Sequence, residues 1–298
     1  MSQKLLFIYN PISGQSKIKS VLADVIDCMI KADYEVTVYP TQQPRDAITK
    51  VADEAALYDR IICSGGDGTL DEVVTGLMNA QIERPVGFIP TGSTNDFANS
   101  LNLSSDPIDA ARVAVSDDLI RCDVGRFKED YFVYVAAFGL FTEASYATSQ
   151  ELKNLIGHTA YILEGVRQLT EIPSVHMTVE NDGQILEGNF LFGMVTNSVT
   201  IGGIKGLITE EVGLNDGLFE VTLIETPGNP LELSEILGFF TNLNRQTRLV
   251  HTFHAAEIKF ASEEKVAWTL DGEFGGEHDT VTILNIPGQL EIAHGNHS

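Results

Sequence analysis

The chain has 298 residues, 43% of them hydrophobic and 20% charged, which describes an ordinary folded protein large enough for two domains. With 42 acidic and 19 basic residues its formal charge is −23, which argues against nucleic acid as a partner and against non-specific adhesion to anionic lipid. Its three cysteines, Cys28, Cys63 and Cys122, lie far apart among apolar neighbours and read as buried thiols of a reducing, cytoplasmic compartment rather than a disulfide frame or a zinc site. No signal peptide is expected, because Met1-Ser2-Gln3-Lys4 leads directly into a strand-like run. The longest apolar run, Tyr131 to Phe141, is about half the ~20 residues that a membrane-spanning helix needs.

Leu5 to Tyr9 is apolar on both faces, as a strand inside a helix-covered parallel sheet is, and it ends in the turn Asn10-Pro11-Ile12-Ser13-Gly14. Ile18, Val21, Leu22, Val25, Ile26, Met29 and Ile30 then keep the i, i+3, i+4 register of an amphipathic helix. Glu35 to Tyr39 reads as a second strand, ending near Thr41, and Pro44 to Ala56 as a second helix.

Arg60 to Ser64 is a short apolar run that stops at Gly65-Gly66-Asp67-Gly68-Thr69. Apolar residues resume at Leu70, Val73, Val74 and Leu77, so the stretch reads as strand, glycine-rich loop, helix. Three glycines in four positions permit a sharp turn and a close backbone approach. Thr69 is placed to cap the helix, and the free N–H groups of a helix start favour an anion. A phosphate is the natural guest. Asp67 would repel a bare phosphate, so a divalent cation, Mg²⁺, is expected between them. The same residues also describe a plain turn between a buried strand and a helix, and this segment alone does not choose.

Val86 to Ile89 is a fourth strand, running into Pro90-Thr91-Gly92-Ser93-Thr94-Asn95-Asp96-Phe97-Ala98. Strand and helix alternate with short loops, the pattern of a doubly wound sheet whose ligand lies beyond the carboxyl ends of its strands. Loops 10–14, 65–69 and 90–96 all follow strands and are expected to cluster at one sheet edge. There Asn10 and Ser13 offer hydrogen bonds to a base, ribose or phosphate, and Thr94, Asn95 and Asp96 offer a second polar group facing Asp67. No Gly, four residues, Gly-Lys-Ser/Thr run occurs, so this is not a P-loop kinase.

From about Ile120 the pattern changes. Val133 to Phe138, Val175 to Val179, Ile185 to Val195, Leu218 to Ile224, Ala256 to Phe260, Val266 to Leu270 and Thr280 to Ile286 read as strands, several joined by Asn/Asp-Gly turns. Helical insertions are expected near Thr159 to Thr170 and Leu231 to Asn242. The short piece Leu290 to Ala293 is a candidate to return to the first domain. The boundaries read as 1–120 with 288–298, and 121–287.

Taken together, Asn10-Pro11-Ile12-Ser13-Gly14, Gly65-Gly66-Asp67-Gly68-Thr69 with Glu72-Val73, Gly92-Ser93-Thr94-Asn95-Asp96-Phe97-Ala98, Asn215-Asp216-Gly217-Leu218 and Asp271-Gly272-Glu273 resemble the diacylglycerol kinase catalytic family in its bacterial form, across essentially the whole chain. The resemblance implies a doubly wound α/β domain like those of NAD kinases and phosphofructokinases, followed by a mainly β, sandwich-like domain. It implies transfer of the γ-phosphate of Mg-ATP to a lipid hydroxyl, diacylglycerol foremost, with ATP on the α/β domain and the acceptor in the cleft against the β domain; a kinase for a soluble acceptor such as NAD and a non-catalytic nucleotide-binding regulator are the other readings. Carried over by position, Asn10, Ser13, Gly14, Thr41 and Thr94 would contact nucleotide, Gly65, Gly66, Asp67, Gly68 and Thr69 would hold phosphates, with Glu72 beside them, and Asp67 and Asp96 would organise magnesium. Asp271 or Glu273 would take the acceptor's proton, with Glu273 preferred for its reach. Asp216 would hold a structural magnesium with the carbonyls of Gly213 and Leu218. Ser93, Asp71 and Asn99 depart from the family pattern, where threonine, asparagine and a basic residue are usual.

Between Glu235 and Glu257 no acidic residue occurs, while Arg245, Arg248, His251 and His254 recur at three-residue intervals beside Phe239, Phe240, Leu249, Val250 and Phe253. In so acidic a chain this reads either as a solvated helix end and loop or as a patch facing lipid headgroups at the inner membrane surface. Leu152 to Leu169 reads as core, with an acyl-chain lining as the other reading. Lipid substrate, no nucleic acid and a possible homodimer complete the partner expectations.

Overall fold

Leu5, Leu6, Phe7 and Ile8 are all fully buried, so β1 (Gln3–Tyr9) lies inside a sheet covered on both faces. The computed structural model describes residues 2–92, 95–139, 174–197, 200–201, 204–205, 213–241 and 247–295. It divides into two units, Met1–Val124 with Ile286–Ser298, and Gly125–Asn285. In the first unit, β2 (Tyr34–Pro40), β3 (Arg60–Gly65) and β4 (Val86–Pro90) join β1 in the parallel order β2-β1-β3-β4. The helices are α1 (Lys17–Lys31), α2 (Asp46–Glu54), α3 (Asp67–Ala80), α4 (Asp96–Ser100) and α5 (Pro107–Ala114).

Helix α1 follows from its spacing: Ile18, Val25 and Met29 are buried and share a core with Leu5, Phe7, Ile62 and Ile89. Helices α2 and α3 pack so closely that a Cβ at Gly76 would stand 2.7 Å from the Val51 Cβ. Helix α5 was not expected, though its start is written plainly: Asp106 accepts the Ile108 and Asp109 N–H groups, and Pro107 fills the first turn. Its end is held by Arg60, only 3% exposed, which donates to the Ala114 and Ser116 carbonyls at 2.9 and 2.6 Å.

The second unit is mainly antiparallel sheet. After β5 (Leu119–Phe127), which enters it from the first unit, come β6 (Asp130–Phe132), β7 (Val135–Gly139), β8 (Val175–Asn181) and β9 (Gln184–Thr196), the small hairpin β10 (Thr200–Ile201) and β11 (Ile204–Lys205), and β12 (Phe219–Glu225). Helix α6 (Pro230–Thr241) and strands β13 (Val250–Ala255), β14 (Glu257–Leu270) and β15 (Glu273–Ala293) follow. The order is β13-β12-β9-β7-β14-β15, with β8 pairing β9 and β14. Trp268 centres the core, its ring 4.9 to 5.2 Å from those of Phe127, Phe138 and Phe260.

Two expected pairs of strands are single elements. The strands expected at Ala256–Phe260 and Val266–Leu270 are one element, β14, which starts at Glu257 and whose register shifts between Ala261 and Val266. Thr280–Ile286 and Leu290–Ala293 belong to β15, whose end lies in the first unit with Ile292 opposite Val86. The expected helix near Thr159 to Thr170 lies outside the described residues.

Candidate functional site

Three loops of the first unit meet because parallel strands deliver them to the same edge. Asn10 N–H donates to the Ser64 carbonyl at 2.8 Å, and the Thr91 and Gly92 N–H groups both donate to the Gly65 carbonyl, at 2.7 and 3.0 Å. Gly14, with φ +51°, is set so tightly against the third loop that a Cβ there would stand 1.5 Å from the Thr91 carbonyl oxygen. A Cβ on Gly92 would come within 2.5 Å of the Gly66 Cα, and one on Gly66 would be 4.0 Å from the Ser13 Oγ. The result is a floor of bare backbone with Ser13 beside it. Loops 10–14, 65–72 and 90–96 carry no lysine or arginine, so backbone amides and the start of α3 supply their positive potential.

Asp67 stands in the first turn of α3, and its Oδ2 accepts the Asp96 N–H at 2.9 Å, tying the second loop to the third. Asp96 is only 1% exposed, and it is its backbone N–H that bonds Asp67. Thr69 does not cap the helix. Gly66 is the N-cap, no side chain bonds there, and Thr69 is buried over Gly65, where a Cβ would meet its Oγ1 at 2.1 Å. Glu72 turns towards α2: its two oxygens accept the Arg45 and Ala47 N–H groups at 2.8 and 3.1 Å, so it caps that helix and does not face the glycine floor. Thr41 N–H donates to the Tyr9 carbonyl at 3.0 Å, next to Asn10. Gly68 lies in the first turn of α3. Thr94 lies outside the described residues.

In the second unit the two candidate bases occupy different surroundings. Asp271 is 4% exposed and its oxygens accept three successive backbone N–H groups, Val133 at 2.6 Å, Tyr134 at 3.0 Å and Val135 at 2.8 Å. Glu273, two residues on at the start of β15, is exposed. Asp216 sits over Gly213, where a Cβ would be 2.5 Å from its Oδ2, and its Oδ1 accepts the Leu218 N–H at 2.9 Å. Among the described residues no three His, Cys, Asp or Glu side chains gather as a metal cage.

Residues 4–127 match the diacylglycerol kinase catalytic domain, and residues 135–294 match the YegS C-terminal NAD kinase beta sandwich-like domain. The diacylglycerol kinase of Staphylococcus carnosus (strain TM300) is 32% identical over 299 residues, covering 98% of this chain and 95% of that one. The chain belongs to the diacylglycerol kinase family. The diacylglycerol kinase of Bacillus subtilis (strain 168) is 34% identical over 278 residues, covering 90% and 89% of the two chains. The fold is that of a solved diacylglycerol kinase from Bacillus anthracis, with a TM-score of 0.76 at 21% identity over 99% of this chain and 97% of that one. A second Bacillus anthracis chain gives a TM-score of 0.83 at 24% identity, over 99% and 96%. Membership of the diacylglycerol kinase family makes this a kinase, which transfers phosphate to a hydroxyl.

One buried acid of this diacylglycerol kinase relative escaped sequence reasoning. Asp123, fully buried on β5, accepts the Gly288 N–H at 2.8 Å, and its place between Cys122 and Val124 gave the signal in the sequence. The cationic stretch also looks different in three dimensions. Arg248, 78% exposed, bonds Glu232 at 2.7 Å, His251 lies 2.8 Å from Glu225, and His254 lies 3.9 Å from Glu220. Phe239 and Leu249 are buried, and Phe253 packs on the core. Arg245 and Leu152 to Leu169 lie outside the described residues. No helix among the described residues is long and apolar enough to cross a membrane.

Proposed function

We propose that this chain is an ATP-dependent lipid kinase that transfers the γ-phosphate of Mg-ATP to the hydroxyl of diacylglycerol, giving phosphatidic acid. The observation that carries the reading is the backbone floor made by Gly14, Gly66 and Gly92 at the start of the fourteen-residue helix α3, with a carboxylate, Asp67, in its first turn. Gly14 and Gly92 leave no room for a Cβ, and with the bare backbone of Gly66 they suit a surface that touches phosphate oxygens, while a carboxylate there suits a divalent cation. When bound, Mg²⁺ supplies charge neutralisation for the phosphate oxygens.

The chain's own residues do the rest. Ser13 and the loop amides hold and orient the phosphates, Asn10 and Thr41 contact the nucleoside end, and Asp67 holds the cation side. Glu273 accepts the proton of the acceptor hydroxyl as its oxygen bonds to phosphorus and the bond to the leaving diphosphate breaks. Glu273 rather than Asp271 takes this role because the Asp271 oxygens are already occupied by three amides. The names of the relatives favour diacylglycerol as acceptor over other lipid alcohols.

The test is transfer of label from γ-labelled ATP into an organic-extractable product, with diacylglycerol, monoacylglycerol, polyprenol and sphingoid bases in mixed micelles. Label is expected in diacylglycerol and lost in Asp67→Ala, while Glu273→Gln lowers turnover by ~10²–10⁴-fold. Label in a water-soluble acceptor and in no lipid would overturn the reading.

A further inference from the structure

Asp271 has a duty that its sequence context hides. Asp271 and Gly272 have φ of +48° and +87°, the two left-handed residues of a type I′ turn, and Leu270 pairs with Glu273 across it. An Asp-Gly turn of this kind normally points its first side chain into water, where asparagine or glycine serves as well. Here the side chain is buried instead. Val133 and Tyr134 form the irregular link between β6 and β7, and with Val135 they are themselves buried. Three successive N–H groups in such a place need partners, and the Asp271 carboxylate provides all three.

The link is gripped from its other side as well. The Tyr134 carbonyl accepts the Thr196 Oγ1–H at 2.6 Å and the Asn197 N–H at 2.9 Å, both at the end of β9, and Thr196 and Asn197 are fully buried. The Asp271 N–H donates to the Val135 carbonyl at 2.9 Å. The turn that carries Glu273 is therefore bolted to β7 and, through the Tyr134 peptide, to β9.

We infer that Asp271 is a positioning residue: its carboxylate, with the Thr196 hydroxyl behind it, locks the 133–135 link and so holds Glu273 in place to receive the acceptor's proton. This rests on the lipid kinase reading and deepens it. Because a displacement of about 1 Å in a reacting group lowers rates by on the order of 100-fold, the clamp acts on turnover and leaves ATP binding alone.

Three full-length variants test it, with hydrogen exchange of the 133–135 amides read alongside label transfer. Asp271→Asn keeps one acceptor oxygen but sets an N–H donor against one of the three amides. It is expected to speed exchange at 133–135 and to lower kcat about 100-fold with the KM for ATP unchanged. The low-pH limb of its kcat profile stays where the wild type has it, because the titrating base is elsewhere. Thr196→Val, nearly isosteric and leaving the Tyr134 carbonyl with its Asn197 partner, is expected to lower kcat about tenfold, and Thr196→Ser to restore it. If Asp271→Asn loses the low-pH limb as Glu273→Gln does, Asp271 is the base and the inference is overturned. Unchanged exchange, or full turnover in both Asp271→Asn and Thr196→Val, removes the clamp while leaving the kinase intact. A wild-type chain that labels no lipid removes the kinase reading itself.

Discussion

Gly14 shows how much one missing side chain can decide. Its φ of +51° is one strain for any other residue, and the Thr91 carbonyl 1.5 Å from the position of a Cβ is another. Gly183 shares the first property, with φ +75°, but has nothing within 4 Å. Gly14→Ala is therefore expected to raise the KM for ATP about tenfold or more by pushing the first loop off the third, while Gly183→Ala costs only the ~1 kcal/mol of a left-handed alanine and leaves the KM unchanged. Steady-state kinetics and a thermal melt of each variant check this. At the same scale, the reach of the sequence is uneven. Asp67 drew attention because it stands among three glycines, and in the structure it ties the second loop to the third through the Asp96 N–H. The role of Asp271 was not legible, because the amides it serves lie as far as 138 residues back and an Asp-Gly pair looks the same whether it faces water or the interior. Glu72 and Thr69 sit beside the loop in sequence, yet the helix turns one towards α2 and buries the other over Gly65.

Elements were legible where burial is two-sided or strictly periodic, as in β1, β3 and α1. They were misread where geometry bends a strand in mid-course. The register shifts of β14 made one strand look like two, since the polar residues 262–265 interrupt the alternation. Strand β13 was hidden by the three-residue spacing of Arg245, Arg248, His251 and His254, which drew attention away from its pairing with β12, Phe253 opposite Val221. Helix α5 depends on a residue from another element. Arg60 on β3 binds its last carbonyls and stacks over Tyr34 at 5.8 Å, and its ion pair with Asp117 adds little because that carboxylate is 97% exposed. Arg60→Met is expected to destabilise the first unit by about 2 kcal/mol, seen as a Tm lower by roughly 4–8 °C, with turnover per folded molecule unchanged.

At the scale of the whole molecule, a charge of −23 bears on any encounter with a lipid surface. Since Glu232, Glu225 and Glu220 stand beside Arg248, His251 and His254, the described part of the cationic stretch offers little net attraction. In vesicle sedimentation at 0.01 M ionic strength the protein is expected to bind anionic vesicles more weakly than zwitterionic ones. The difference should shrink at 0.15 M as the Debye length falls from ~30 to ~8 Å. Stronger binding to anionic vesicles at low salt would mean that a local basic surface, Arg245 included, outweighs the total.

Strand β15 begins at Glu273 and ends by pairing Ile292 with Val86, so the unit that is synthesised first is completed last. At roughly 5–20 residues per second, the ribosome delivers the partner of β4 some ~10–40 s after β4 itself. For that interval β4 offers an open parallel edge, the kind of surface on which nascent chains mispair. The second unit is inserted between β5 and the end of β15, so a half-made chain has no finished first sheet. The three glycine-bearing loops and Glu273 thus reach their finished surroundings together, only once β15 has been made.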